Sequence, residues 1–318
     1  MPTVDCSQDK DGCFRRAIES CRDTFPPIKT GVVHPVRAED IEVVAEAVAQ
    51  KLIDPVLIGP KARVEAAALA AKIDISGWPL VDVEHSHAGA AKGAEMAAKG
   101  EVDCLMKGGL HTDEILHAII VTRSLMTERH ISHAYLMDIP TYHKPVVISD
   151  AAVNIAPELD VKADIVQNAI HFWRSLFGDD RPPKVALLAA VETVNPKMQA
   201  TIDAACLCKM ADRDQITGGI LDGPLAFDNA INKDAASSKN IKSLVAGDPD
   251  IIIPPNLESA NIMSKELTFL AGAKAAGIIL GARIPVILTS RADSIETKLM
   301  SCALAIKVAA ARREGKFK

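Results

Sequence analysis

The chain has 318 residues, of which 48% are hydrophobic, 3% aromatic and 24% charged. This length is typical of two domains, and the apolar content excludes intrinsic disorder as a class. With 36 Lys and Arg against 41 Asp and Glu, the formal net charge is −5. Because there is no basic excess to neutralise a phosphate backbone, we expect no nucleic acid as a partner.

Three features of the sequence indicate where in the cell the protein is located. No apolar run approaches the ~20 residues that span a bilayer, so we expect no membrane as a partner. The first residues, MPTVDCSQDKDGCF, are polar and acidic and lack the basic patch and apolar core of a secretory signal. The seven cysteines are scattered, which is typical of reduced thiols. Together these features predict a cytoplasmic protein.

Short apolar runs alternate with helical patterns along the chain. Residues 30–34 predict a strand, residues 38–52 a helix, and residues 55–58 a second strand, parallel to the first because a crossover helix joins them. The further predicted strands are 80–83, 103–106, 134–138, 145–149, 184–189, 219–221, 251–253, 276–280 and 285–289. The further predicted helices are 13–21, 61–71, 87–100, 112–125, 162–177, 197–210, 227–235, 260–273 and 294–313.

This alternation predicts an α/β fold with mostly parallel sheets in two domains. Ligands of such sheets bind beyond the carboxyl ends of the strands, so the polar residues that follow each strand are the candidate site residues. The sequence contains no GxxxxGK[ST] loop, no GxGxxG after a strand and no HExxH motif. His85 and His87 are more typical of a solvated helix start than of metal ligands, and we expect no metal.

The first candidate is the segment 107–112, KGGLHT, between a predicted strand and a predicted helix. The adjacent Gly108 and Gly109 allow their backbone N–H groups to approach an anion closely. Lys107 adds a positive charge, and His111 adds a hydrogen-bond donor. Alternatively, the segment is a tight turn in which Thr112 is the helix N-cap. The residues alone leave both interpretations open.

The second candidate is the segment 289–294, TSRADS, which precedes the last predicted helix. Thr289 and Ser290 supply hydroxyls and Arg291 a guanidinium, a combination that suits phosphate at a helix start. Ser294 is the expected helix cap, and Asp293 lies directly before it. Because Ser290 and Arg291 are not needed for the cap, a binding role is favoured.

Asparagine or aspartate follows several other strands, at Asn154, Asn195, Asp222 and Asn261. Each one singly is typical of a turn or a helix cap. Their repetition at successive strand ends favours a shared binding cleft. From the residues alone we therefore predict an anion-binding α/β enzyme, without specifying its reaction.

Six segments together resemble one known family. They are LMKGGLHTDE, SDAAVN, ETVNPKM, LDGPLAFDNAI, VAGDPDIIIPPNLESANIM and ARIPVILTSRADS. Over about residues 30–310, the chain resembles the phosphate acetyltransferase and phosphate butyryltransferase family, and its butyryl-type branch more closely than its acetyl branch. The resemblance implies the reaction acyl-CoA + phosphate = acyl phosphate + CoA, with an acetyl or a butyryl group.

The resemblance also implies an architecture of two α/β domains with a cleft between them, like that of isocitrate and isopropylmalate dehydrogenases. It places residues 1–136 and 279–318 in the first domain and residues 137–278 in the second. It implies a homodimer or higher homo-oligomer whose partners are acyl-CoA, inorganic phosphate and acyl phosphate. Coenzyme A is a substrate, and no metal or redox cofactor is required.

Residue roles follow from the same resemblance. Arg291 is expected to contact phosphate or CoA, and Ser290 to lie near the reacting thiol. Asn154 matches an asparagine of the family. The family's substrate-binding turn matches Gly108, Gly109, His111 and Thr112.

Three positions depart from the acetyl branch. Thr297 stands where that branch carries an aspartate, the proposed base for the CoA thiol, so Glu296 becomes the candidate catalytic base. His117 replaces an arginine on the helix that follows the glycine turn. An alanine, Ala151 or Ala152, replaces a cysteine. These departures affect which residue acts as the base and which residues bind phosphate.

Two alternatives stay open beside the transferase. A member that has lost its base would bind acyl-CoA as a non-catalytic, regulatory protein. A metal- and NAD-dependent decarboxylating dehydrogenase on the same fold would need aspartate ligands, for which Asp222 and Asp228 are candidates. For the transferase we expect direct transfer without an acyl-enzyme, because no nucleophilic side chain stands out.

Overall fold

The computed structural model describes residues 13–288 and 293–316. Its helices are α1 Cys13–Thr24, α2 Ala38–Ala49, α3 Lys61–Ala71, α4 Ser86–Ala98, α5 Thr112–Val121, α6 Leu159–Phe177, α7 Gln199–Ala211, α8 Phe227–Ile231, α9 Lys233–Ser238, α10 Leu257–Leu270 and α11 Ile295–Arg313. Its strands are β1 Ile28–Val33, β2 Ile53–Gly59, β3 Leu80–Asp82, β4 Cys104–Lys107, β5 Ser132–Asp138, β6 Val146–Ser149, β7 Lys184–Leu188, β8 Ile220–Leu225, β9 Ile251–Ile253, β10 Lys274–Leu280 and β11 Val286–Ile287.

At two places the structure differs from the sequence prediction because a side chain caps a helix. Residues 227–235 were predicted as one helix but form α8 and α9, because the side chain of Asn232 accepts the backbone N–H of Asp234 and Ala235 and starts a new helix. Helix α10 begins three residues before the predicted 260, because Asn256 accepts the N–H of Ser259 at 2.9 Å.

The chain divides into two compact units. The first unit comprises Phe14–Glu128 with the described residues from Ala276 onward, and the second comprises Arg129–Ala275. The family resemblance places these boundaries after residues 136 and 278, whereas the structure divides the chain after residues 128 and 275. No described helix is both long and apolar enough to cross a membrane.

In the first unit the strands follow the order β3-β2-β1-β4-β11-β10. All neighbours are parallel except β10 and β11, which are antiparallel. Val33, the last residue of β1, pairs with Ile58 of β2 on one side and with Lys107 of β4 on the other. The ends of three parallel strands therefore lie together at one edge of the sheet.

In the second unit the order is β5-β6-β9-β7-β8, with β5 antiparallel to β6 and the other neighbours parallel. Buried aliphatic side chains such as Ile148, Ala186 and Ile252 form its core. The predicted α/β class with a mostly parallel sheet is confirmed. The carboxyl ends of β6, β9 and β7 lie side by side, and this edge carries the candidate residues of the unit.

Candidate functional site

The glycine turn after β4 fits tightly against the end of β1. The N–H of Gly108 donates to the carbonyl of Val33 at 2.9 Å, and the N–H of Gly109 donates to the carbonyl of His34 at 2.8 Å. A Cβ on Gly108 would lie 2.7 Å from the carbonyl oxygen of Val33. The two N–H groups expected to receive an anion are thus already hydrogen-bonded, and the first glycine serves close backbone packing.

The start of α5 is organised by Glu114 rather than by the predicted cap Thr112. The N-cap is His111, which is exposed and donates its backbone N–H to Glu114 at 3.1 Å. The carboxylate of Glu114 also accepts from the hydroxyl of Ser86 and from Nδ1 of His87, each at 2.9 Å. Glu114 therefore joins the starts of α4 and α5.

His34, at the sheet edge where β1, β2 and β4 end, was not among the residues singled out from the sequence. It follows β1 with a left-handed φ of 59°, and only 4% of its surface is exposed. Burial lowers its pKa, and the positive charge of Arg63 lowers it further, so the imidazole is neutral at pH 7. Its Nδ1 has no hydrogen-bond partner among the described residues. The only signal in the sequence was a histidine between a strand and a proline.

His85 and His87 act as expected of a helix start. His85 is the N-cap of α4, and its Nδ1 accepts the N–H of Ala88 at 3.1 Å. Within the described ranges, no group of three or more His, Cys, Asp or Glu side chains is arranged to hold a metal ion.

Helix α11 begins shortly after the serine–arginine pair in the sequence. Thr289, Ser290 and Arg291 lie outside the described residues. Ser294 caps α11 as predicted, since its hydroxyl accepts the N–H of Thr297 at 3.2 Å. Thr297 is buried against this cap, whereas Glu296 in the same turn is half-buried. Asp293 is also half-buried.

In the second unit, Asp150 organises the turn after β6. Its carboxylate accepts the backbone N–H groups of Ala152, Val153 and Asn154 at 3.0, 3.1 and 3.0 Å. The side-chain amide of Asn154 donates to the same carboxylate at 2.6 Å and to the carbonyl of Ile131 at 2.8 Å. Burial raises the pKa of Asp150 despite these bonds. Asn154 therefore orders this turn.

The other predicted amide and carboxylate groups also bond to backbone groups of the protein. Asn261 on α10 donates to the carbonyl of Ala151 at 3.0 Å, which joins α10 to the turn after β6. Asn195 accepts the N–H of Lys197 at 2.9 Å in the turn before α7. Asp222 was predicted to follow a strand but lies inside β8, where its carboxylate accepts the N–H of Gly223 at 2.8 Å. Of these candidates, the structure brings Asn154 and Asn261 to the same turn.

A pocket of about 580 Å³ lies at the starts of α6, α7 and α10. These helices follow β6, β7 and β9, so the pocket occupies the position where parallel sheets bind ligands. Its volume falls within the range of small-molecule sites, ~300–1,000 Å³. Its apolar lining residues are Ala156, Pro157, Leu159, Ala200, Ile202 and Pro255. Its polar lining residues are Glu158, Lys162, Gln199, Asp203, Cys206 and Asn256.

Lys162 and Asp203 form a buried ion pair in this pocket. The ammonium of Lys162 lies 2.6 Å from the carboxylate of Asp203, and the two side chains are 9% and 8% exposed. Gln199 donates to the other oxygen of Asp203 at 2.8 Å. Sequence reasoning missed this pair. The signal was present, because Lys162 lies four residues before Val166 on the apolar face predicted for α6, where a charge is unusual.

Comparison with known proteins identifies relatives that cover most of the chain. A phosphate acetyltransferase of Rhizobium meliloti is 48% identical over 302 residues, which cover 94% of each protein. A phosphate butyryltransferase of Clostridium beijerinckii is 37% identical and covers 85% of this chain and 89% of its own. The butyryl-type branch expected from the sequence is therefore not supported.

Two solved structures support the fold. A branched-chain phosphotransacylase from Enterococcus faecalis V583 matches 89% of this chain and 99% of its own, with a TM-score of 0.76 and 28% identity. A 4-hydroxythreonine-4-phosphate dehydrogenase from Klebsiella pneumoniae matches 89% of this chain and 99% of its own, with a TM-score of 0.54 and 12% identity. The second match is a likeness of fold alone, in line with the expected similarity to dehydrogenase folds.

A sequence profile described as "Phosphate acetyl/butaryl transferase" matches residues 87–306. This span begins at the N-terminal turn of α4 and continues into α11, so it includes the glycine turn, the pocket and the segment 289–294. With a relative 48% identical along nearly the full length, this match establishes that the chain belongs to the phosphate acetyl/butyryl transferase family.

Proposed function

We propose that this chain is an acyltransferase that moves a short acyl group between coenzyme A and inorganic phosphate: acyl-CoA + phosphate = acyl phosphate + CoA. The observation that carries the proposal is the 48% identity to a phosphate acetyltransferase over 94% of both proteins. A probable phosphate butyryltransferase of Bacillus subtilis is 47% identical, but over 64% of this chain, whereas a butyryltransferase that covers 85% is 37% identical. Similarity along nearly the full length therefore favours acetyl as the acyl group.

The proposed chemistry is direct transfer. A phosphate oxygen attacks the thioester carbonyl carbon, the tetrahedral oxyanion collapses, the C–S bond breaks, and the CoA sulfur leaves as a thiolate that then takes up a proton. In the reverse direction the thiolate attacks the acyl phosphate. Both directions require charge balance at phosphate and donors for the oxyanion.

In this proposal Arg291 balances the phosphate charge, with Lys107 in support, and the hydroxyl of Ser290 donates to the oxyanion. Glu296 is the base for the CoA thiol. Since a thiol has an unperturbed pKa of ~8.5, the base contributes modestly at neutral pH. The N–H groups of Gly108 and Gly109 are not assigned as oxyanion donors, because they bond to the carbonyls of Val33 and His34.

The remaining candidates take positioning or binding roles. Asn154 and Asn261 hold the turn after β6, and Asn195 orders the turn before α7. The two turns precede α6 and α7, whose starts line the pocket. Asp222 bonds to the backbone within β8. For Asp293, Thr289, His111 and Thr112 we propose contacts with phosphate or CoA.

Further proposals concern cofactor, assembly and compartment. The reaction requires no metal or redox cofactor. The chain acts as a homodimer or higher homo-oligomer, which is supported by exposed apolar side chains on α10, where Phe269 is 74% and Leu270 is 85% exposed. It is located in the cytoplasm. In support of this, the five cysteines whose side chains the structure describes are all free thiols.

The test of the reaction is phosphate-dependent release of free thiol from acetyl-, propionyl- and butyryl-CoA in the presence of EDTA. We expect release that requires phosphate, with the highest kcat/KM for acetyl-CoA. Absence of release from all three, in a folded protein that binds CoA, would favour the non-catalytic alternative. Trapping of an acylated cysteine or serine with hydroxylamine would overturn direct transfer.

A further inference from the structure

We infer that the pocket at the starts of α6, α7 and α10 holds the pantetheine arm of the acyl-CoA substrate, and not its nucleotide end. The inference rests on the proposed function, because it assigns a part of that substrate to a place in the second unit. It is carried by three properties of the pocket: a buried lysine with unsatisfied hydrogen-bond donors, apolar walls, and the lack of an unpaired cation among the lining residues.

The first property is the hydrogen-bonding capacity of Lys162. Its ammonium has three N–H groups, and among the described residues it bonds to Asp203 alone, at 2.6 Å. Only 7% of the residue is exposed, so bulk water has little access to the remaining donors. A buried ion pair is favourable only when further hydrogen bonds satisfy such donors. A ligand with a carbonyl oxygen would do so, since Lys162 lines the pocket.

The second property is the apolar surface of the pocket. Leu159, Ile202 and Pro255 contribute walls that can bury a hydrocarbon group, while Gln199 and Asn256 provide polar groups at the helix starts. Pantetheine combines two amides with a geminal dimethyl group and short methylene chains. Its amide carbonyls match the ammonium of Lys162, and its dimethyl group matches the walls.

The third property is charge. Asp203 already neutralises Lys162, and the exposed Glu158 adds a negative charge to the lining. The positive ends of three helix dipoles, with about half a charge each, offset the charge of Glu158 but supply no side-chain cation. A 3′-phosphate and a diphosphate carry several negative charges and need unpaired cations, commonly Arg or Lys. The pocket offers no such cation among its lining residues, so the nucleotide end of CoA does not fit.

Cys206 provides a direct probe of occupancy, since this half-buried thiol lines the pocket. The wild-type protein is treated with iodoacetamide, and the alkylated cysteines are identified by peptide mass spectrometry. We expect pantetheine to protect Cys206 and adenosine 3′,5′-bisphosphate to leave its alkylation unchanged. Protection by the bisphosphate alone, or by neither compound, would overturn the inference. So would a failure of Cys206 to react in the free protein, because the pocket would then be closed.

Filling the pocket provides a kinetic test. In Ala200→Trp, the indole occupies the space between α6 and α7, and we expect KM for acetyl-CoA to rise about tenfold or more while KM for phosphate stays unchanged. The matched control is Ala205→Trp, at another half-buried position on the same helix that does not line the pocket. Equal KM values for acetyl-CoA in the two variants would refute the inference.

The two tests separate this inference from the proposed function. If the wild type releases thiol with phosphate but Ala200→Trp keeps its KM for acetyl-CoA, the reaction stands and the assignment of the pocket fails. If the wild type releases no thiol, the proposed function fails. The alkylation experiment needs no turnover, so it still decides whether pantetheine occupies the pocket.

Discussion

Removal of one partner of the Lys162–Asp203 pair tests how strongly the second unit depends on a buried charge. The two groups lie 2.6 Å apart, and their side chains are 9% and 8% exposed. In Lys162→Met, the aspartate keeps a single side-chain bond, from Gln199, in surroundings that solvate an ion poorly. Breaking a buried pair in this way typically costs ~3–5 kcal/mol. We expect a loss of this size in the free energy of unfolding.

The double variant Lys162→Met/Asp203→Leu separates charge from packing. It leaves no buried ion, and Gln199 is exposed enough to bond to water instead. Replacing both members of a buried pair by apolar residues is often neutral or stabilising by ~1–4 kcal/mol, so we expect the double variant to recover most of the loss. Its kinetics with acyl-CoA would still be impaired, because the ammonium is absent.

Urea denaturation followed by tryptophan fluorescence measures these changes, and the buried Trp173 on α6 is a local reporter. The matched control is Lys209→Met, which removes an ion pair with Asp212 on the exposed side of α7 and should cause no measurable change. If Lys162→Met were no less stable than this control, the pair would not be desolvated as described. If the double variant were as unstable as the single one, lost packing would explain the effect.

Three further results are expected. Gly108→Ala places a methyl group 2.7 Å from the carbonyl oxygen of Val33, and it should lower the free energy of unfolding by ~1–3 kcal/mol in urea denaturation. The control Gly77→Ala, whose methyl group meets nothing within 4 Å, should cause no loss. Equal losses in the two variants would contradict the packing role of Gly108. Burial lowers the pKa of His133 to about 3, below its value of ~6.5 in the unfolded chain. As the pH falls, the unfolded chain therefore binds the proton first. The free energy of unfolding then decreases by up to ~1.4 kcal/mol for each pH unit between these two values. In His133→Phe, the difference in unfolding free energy between pH 6.5 and pH 4.5 should shrink, and an unchanged difference would refute this. Arg291→Ala should lower the rate of the reaction by ~100-fold or more in both directions, with an unchanged circular dichroism spectrum. Ser290→Ala should lower the rate less. Near-wild-type rates for the arginine variant would reject the assignment of the site.

Much of the architecture could be predicted because the relevant signals are local. The βαβ unit at residues 30–58 follows from apolar runs and helical spacing within a short window. The cap of α11 at Ser294 follows from a hydroxyl directly before a helical pattern. The same kind of reasoning failed at Asn232, where a cap inside an apparently continuous pattern starts a new helix.

The candidate site was less predictable, because sequence reveals which groups follow a strand but not what those groups bond to. The two N–H groups of the glycine turn were expected to be available to an anion, yet the end of β1 accepts both. Asn154 was expected to contact a ligand, yet its amide bonds to Asp150 and Ile131. Such partners come from segments that only the folded sheet brings near.

The order of helices and strands, the parallel crossovers and the positions of the strand ends were determined by the sequence itself, because hydrophobic periodicity and turn residues act over a few neighbouring positions. Only the tertiary structure decided that Lys162 pairs with Asp203, 41 residues away, and that three helix starts enclose a pocket around them. The physical reason is that a buried polar group must find its partner within the fold, and that partner is set by packing between distant segments.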